Sequence, residues 1–150
     1  MFYHKRNDRT DILKGIKIDE PKIFIPWDID EQTFADKFKS NSVSLVAEKY
    51  YSVKGVTILG ESNCNIGVYF DNKLRKVGIS RDNYAGYDDY IKSFKSFQAI
   101  LIRGFGQPTK CERTLNDFED CEWKISDSIK IYHYVMDRFG LEEHLYIERV

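Results

Sequence analysis

Apolar residues at every second position, in short runs closed by turn residues, constrain the fold of this chain more than any other feature. Ile66, Val68 and Phe70 alternate with Gly67, Tyr69 and Asp71, and Ile129, Ile131, His133 and Val135 alternate with Lys130, Tyr132 and Tyr134. A period of two sends one set of side chains to each face of a strand. Runs of this length, a few turn residues apart, fold as antiparallel hairpins with one face toward a core. Asp71-Asn72 is such a turn, since both residues tolerate left-handed backbone, and Asp127-Ser128 and Arg138–Gly140 supply two more.

Two helical patterns interrupt the strands. Asp28 and Glu31 have the spacing of a capping box, Phe34 and Phe38 follow one turn apart, and Asn41 is a plausible stop. From Asp89 to Arg103, Tyr90, Phe94, Phe97 and Leu101 recur at spacings of 4, 3 and 4, and Gly104, Gly106 and Pro108 end the helix. Between the helices the expected strands are Val46–Val53, Val56–Leu59 after a Lys54-Gly55 turn, Ile66–Phe70, and a run through Val77 and Ile79. After the second helix they are Cys111–Leu115, Cys121–Ile125, Ile129–Met136 and Leu145–Val150. Two short apolar runs, Ile12–Ile18 and Lys22–Ile25, precede everything, separated or ended by Pro21 and Pro26.

The order helix, four strands, helix, four strands suggests an internal repeat. Ile66–Phe70 matches Ile129–His133 at an offset of 63, Ile79–Arg81 matches Ile147–Arg149 at 68, and Phe34 and Phe94 lie 60 apart. The expected fold is therefore one α+β domain over residues 1–150. Its antiparallel sheet or sheets would come from two helix-plus-four-strand pseudo-repeats, about 28–82 and 88–150, with both helices packed on one face.

Composition then excludes several classes. The 150 residues hold 23 basic and 24 acidic side chains and are 15% aromatic, too apolar and too balanced for disorder. No 18-residue uncharged run is present, so no transmembrane helix and no membrane partner are expected. The start, MFYHKRNDRTDILK, lacks the apolar region of a signal peptide. Cys64, Cys111 and Cys121 form no C-x-x-C and no zinc spacing, which fits the cytoplasm and three inert, buried thiols. Cys111 and Cys121 would face each other only if they flank a hairpin. Charge is uneven: residues 101–150 hold seven basic and ten acidic side chains. The densest stretch sets Glu112, Asp117, Glu119, Asp120 and Glu122 against Arg113 alone.

Motifs for catalysis are missing. The chain has no Walker A loop, G-x-G-x-x-G, G-x-S-x-G or H-E-x-x-H, and no cofactor or metal is expected. Asp88-Asp89 and Glu142-Glu143 are adjacent acids of a turn rather than a pair facing across a cleft. Of the three histidines, His4 sits in a polar start and His144 alternates onto a polar face with Tyr146 and Glu148. His133 stands on the apolar face, where a buried, hydrogen-bonded ring is the plain reading and a hydrolase base near Asp137 or Cys121 the alternative. The tyrosines are more telling. Tyr69 and Tyr132 point opposite the apolar set and, with Arg75, Lys76 and Arg81, would make a basic aromatic face able to stack bases and hold phosphates.

The helix-to-strand stretch Phe94-x-x-Phe97-Gln98-x-x-Leu101-x-x-x-Phe105-Gly106-x-Pro108-Thr109, followed by Trp123 and an Ile-Tyr hairpin, resembles small bacterial cytosolic β-rich proteins. Many of these are immunity proteins of polymorphic-toxin or contact-dependent inhibition systems. The layout is also similar to the β-lactamase inhibitor proteins and to Whirly-type nucleic-acid binders. The motif covers about residues 90–135, and no functional residue carries over, because immunity families share no common active residues. The resemblance implies a non-catalytic protein that binds one cognate toxin and blocks its active site. Toxins that cut nucleic acid carry basic clefts, so the expected partner surface is Asp117, Glu119, Asp120 and Glu122, with Phe118 and Trp123 as apolar anchors. A single-stranded nucleic-acid binder using Tyr69, Arg75, Lys76, Arg81 and Tyr132 is the alternative.

Overall fold

The computed structural model describes residues 11–82, 84–115 and 117–150. A hairpin of β1 (Gly15–Ile18) and β2 (Ile23–Pro26) leads into helix α1 (Glu31–Lys37). Strands β3 (Val43–Ala47), β4 (Tyr50–Ile58), β5 (Glu61–Phe70) and β6 (Leu74–Arg81) follow, then helix α2 (Tyr87–Phe105). Strands β7 (Lys110–Leu115), β8 (Phe118–Lys124), β9 (Ile129–Asp137) and β10 (Leu141–Arg149) complete the chain. All but the first two strands join one antiparallel sheet in the order β3-β4-β5-β6-β10-β9-β8-β7.

This corrects the expected division into two helix-plus-four-strand repeats. Each meander ends on a strand, β6 or β10, whose free edge would otherwise be unpaired. Those edges pair with each other, Ile79 opposite Leu145 and Val77 opposite Ile147, so the body is a single eight-stranded sheet. Among the described residues, strands hold 52% and helices 20%. The helices are unequal, 7 residues against 19, and the β1–β2 hairpin has no counterpart after α2. The residue matches that suggested a repeat reflect a shared in-out alternation, which any half-buried strand has.

Two local details also differ from expectation. Asp30, not Asp28, caps α1, its carboxylate accepting from the Thr33 N–H at 2.8 Å. The turn expected at Lys54-Gly55 lies instead before Tyr50, where Lys49 takes φ 62°. Lys54 and Gly55 form a register shift inside the continuous strand β4, between Val53 and Val56.

The inner face of the sheet buries Val53, Ile66, Val68, Val77, Ile79, Ile131, Leu145 and Ile147. The aromatic residues that set the two helix patterns pack against it. Phe34 of α1 lies 5.4 Å from Tyr51 and 5.5 Å from Phe70, ring centre to ring centre. Phe97 and Leu101 of α2 are fully buried. Trp27 and Trp123 fill the core and satisfy their indole N–H groups on Ile12 O (2.7 Å) and Gly106 O (2.8 Å). Because Phe34 is wholly enclosed by α1, β4 and β5, Phe34→Ala should cost about 3–5 kcal/mol in denaturant unfolding. A loss below about 1 kcal/mol would show that α1 is not docked as described.

Candidate functional site

The outer face of the sheet is built by the residues that alternate with the core. Tyr50, Tyr69, Lys76, Tyr146, Tyr132, Tyr134 and His144 share it, brought together by the pairings Tyr50↔Tyr69, Tyr69↔Lys76, Tyr146↔Tyr132 and His144↔Tyr134. Among the described residues, no helix or strand covers this face. Tyr50 and Tyr69 stack at 4.2 Å, and His144 stacks on Tyr134 at 5.0 Å. The Lys76 ammonium sits 4.6 Å from the Tyr69 ring centre and 4.4 Å from that of Tyr146. Burial, together with the neighbouring Tyr50 hydroxyl, pushes the Tyr69 pKa up, so it stays a neutral phenol.

Two glycines make the floor. Gly67 lies opposite Gly78, with Tyr50 folded over the first and Tyr146 over the second. A Cβ at either position would come within 2.9 Å of the covering ring, so any other residue would lift it. Carboxylates border the tyrosines: Asp120, Glu142 and Glu148 all act on Tyr134, and with burial they raise its pKa. The cations of this face are engaged within the chain. Lys130 meets Glu122 at 3.5 Å, and Arg75 meets Glu148 at 3.7 Å and Asp71 at 3.7 Å.

The expected site residues divide between faces. Asp117 and Glu119 are exposed on the β7–β8 hairpin, where they border an open groove of about 510 Å³ with Lys95, Gln98 and Arg113. Tyr87 donates to Asp117 at 2.7 Å. Asp120 and Glu122 lie on the outer face beside Tyr134 and Tyr132. Phe118 and Trp123, expected as apolar anchors, are each 1% exposed and belong to the core, so neither can reach a partner. Of the expected nucleic-acid face, Tyr69, Lys76 and Tyr132 come together and Arg75 flanks them. Arg81 faces inward, stacked 3.9 Å over Phe97 and bonded to Ser93 (2.8 Å) and Glu61 (2.9 Å).

His133 anchors a buried polar cluster between α2 and the sheet. Its Nε2 lies 2.6 Å from Glu143 Oε2, and its Nδ1 lies 3.0 Å from the Gln98 amide nitrogen. Glu143 Oε1 accepts from Ser93 (2.5 Å) and Tyr84 (2.6 Å). Gln98 donating to Nδ1 leaves the proton on Nε2, where it serves the carboxylate. Burial holds the His133 pKa below its ordinary value, against the pull of Glu143. Burial would raise that of Glu143, but bonds from His133, Ser93 and Tyr84 outweigh it and leave it low. The pair is thus a neutral imidazole and an anion. With both ring nitrogens engaged, and Phe94 stacked on the ring at 4.3 Å, His133 offers nothing to a substrate. Asp137, the other proposed partner of such a base, is exposed at the end of β9, and Cys121 is oxidised. Glu143 was readable as more than a turn acid: it shares the inward parity of Leu145 and Ile147.

The cysteines differ from expectation as well. Cys111 is exposed and forms a disulfide with Cys121 directly across the β7–β8 hairpin, and Cys64 alone is a free, buried thiol. His4 lies outside the described residues. No family model, curated protein or solved structure matches the chain.

Two outcomes follow from this chemistry. In unfolded, unreduced protein one thiol should react with a thiol reagent, and three after reduction; three without reduction would refute the disulfide. The second concerns pH. His133 has a folded pKa below the unfolded 6.5, so the unfolded state binds more protons and stability falls as pH drops below about 6.5. The slope should approach about 1.4 kcal/mol per pH unit, and Glu143 extends the loss below its unfolded 4.5. Urea unfolding of the wild type and of His133→Gln between neutral and mildly acid pH should show the smaller slope in the variant; equal slopes would mean that His133 titrates as if exposed.

Proposed function

We propose that this chain is a non-catalytic binding protein whose partner is another protein, and that it acts as an immunity protein, blocking the active site of a cognate toxin. The observation that supports this reading best is the uncovered outer face, with Tyr50, Tyr69, Tyr132, Tyr134 and Tyr146 side by side. Tyrosine gives a large contact area at a low entropy cost and is enriched where proteins meet. Glu122, Glu142 and Glu148 at the rim of the rings are paired with Lys130, Arg138 and Arg75, so the acidic character rests on the β7–β8 hairpin, with Asp120 beside Tyr134 and with Asp117 and Glu119 over the groove next to α2. A surface of this kind suits a basic cleft and speeds encounter with it. The nucleic-acid reading is weaker on the same face, because Arg75 and Lys130 already meet carboxylates and Arg81 is turned inward. The cytoplasmic setting, proposed with the immunity reading, rests on the low cysteine count, and the Cys111–Cys121 disulfide bears against it.

The test is co-expression with the product of the gene immediately upstream, followed by titration. That product should arrest growth alone and be neutralised by this chain. Tyr134→Ala with Tyr146→Ala should weaken binding by about thirtyfold or more, ~2 kcal/mol, with the fold intact. Asp120→Lys with Glu122→Lys should slow association and reduce its salt dependence. A harmless neighbour, unchanged affinity in both double variants, or tight binding of a single-stranded oligonucleotide at low salt would each overturn the proposal.

A further inference from the structure

The two edges of the large sheet are finished differently. Strand β7, at one end, carries Lys110, Glu112 and Arg113, charges that discourage another strand from pairing. Strand β3, at the other end, reads Val43-Ser44-Leu45-Val46-Ala47, with no charge and no proline; its one interruption is a bulge between Leu45 and Ala47, which turns both Leu45 and Val46 out to solvent. Leu45 is 62% exposed and Val46 57%. The β1–β2 hairpin protects the part of the β4 edge that β3 leaves free, through Asp19, Glu20 and Thr57. An edge strand keeps alternate N–H and C=O groups without a partner, and natural sheets rarely leave such a row beside exposed leucine and valine.

We infer that β3 is a dimer edge: it pairs antiparallel with β3 of a second copy, joining two eight-stranded sheets into one. The charge pattern favours a copy of this chain as the occupant. In a two-fold antiparallel pair, residues near the axis meet themselves or their close neighbours, so any charge there opposes its own kind. With the axis near Leu45, the whole segment Asn41–Ala47 meets its copy, and every residue in it is neutral whichever way the bulge between Leu45 and Ala47 is accommodated. The first charges beyond, Glu48 and Lys49, fall opposite neutral residues of that same segment. The pairing is isologous and therefore closes at two copies. It uses the strand edge alone and leaves the tyrosine face open, so it stands apart from the proposed toxin contact.

Sedimentation equilibrium of the full chain over a wide concentration range tests this. The wild type should be a reversible dimer. Leu45→Lys should raise the dissociation constant by at least about tenfold, because two like charges then face each other at the axis. Since Leu45 is exposed, circular dichroism and the melting point of the monomer should be unchanged. Val46→Lys, one position from the axis, should act in the same direction, and Glu112→Lys on the opposite edge should leave the dimer intact. A wild type that stays monomeric at its highest soluble concentration would overturn the inference. So would an open-ended polymer, or a dimer indifferent to both β3 variants.

Discussion

The structure depends on the pairing of β6 with β10. Without it, the sheet would be two separate four-stranded meanders, each with one apolar face and two open edges. Pairing Val77 with Ile147 and Ile79 with Leu145 removes one edge from each and makes the two apolar faces continuous. Two side-chain assemblies follow. On the inner side Arg81 and Glu143, from different meanders, are brought beside Ser93 of α2. On the outer side Tyr69 and Lys76 of the first meander meet Tyr146 of the second. Neither arrangement exists within one half of the chain, which is why a view of two equal repeats misses both.

What the sequence made legible was local. The in-out alternation of Ile66–Phe70 and Ile129–Val135 identifies strands and sorts their faces, and the spacing of Phe94, Phe97 and Leu101 identifies α2. Alternation says nothing about which edge meets which, because edge pairing is decided by chain connection and by the loss of unpaired backbone. The misplaced turn has a similar cause. Lys54-Gly55 is a good turn by composition, but β4 absorbs it as a bulge and continues along β5, where Val56 and Ile58 gain burial. Phe118 and Trp123 were misread as surface anchors because the acids around them mark a solvated strand face, and the opposite face of that strand is core. Arg81 misleads in the same manner: its inward parity matches Ile79, and its contacts with Glu61, Ser93, Ser96 and Phe97 make a half-buried guanidinium tolerable.

The His133 cluster shows how such a core accepts polar groups. A lone buried carboxylate would be driven to protonate, yet Glu143 receives hydrogen bonds from His133, Ser93 and Tyr84 and remains an anion. The imidazole in turn stays neutral, because burial disfavours its charge. The cluster ties α2 to β9 and β10 through groups from separate elements, Ser93 and Gln98 on the helix, His133 and Glu143 on the strands. Directional bonds between fixed donors and acceptors add to the apolar packing a second constraint on where α2 sits along the sheet.

Rigidity at the inner face bears on the outer one. A binding surface made of flexible side chains loses entropy when a partner orders them, and this tyrosine face has less to lose. Tyr50 and Tyr146 lie flat over Gly67 and Gly78, where the missing Cβ lets the rings settle on the backbone. Tyr69 is then stacked on Tyr50, and Lys76 bridges Tyr69 to Tyr146. Each ring is therefore held by a neighbour before any partner arrives. The glycines have no role in the hydrophobic core and weaken a strand by their backbone entropy, so their pairing at the centre of the outer face makes sense as the means of holding these aromatic rings in place. A surface arranged in this way favours recognition of one shape over adaptation to many, as the proposed binding of a single cognate protein would require.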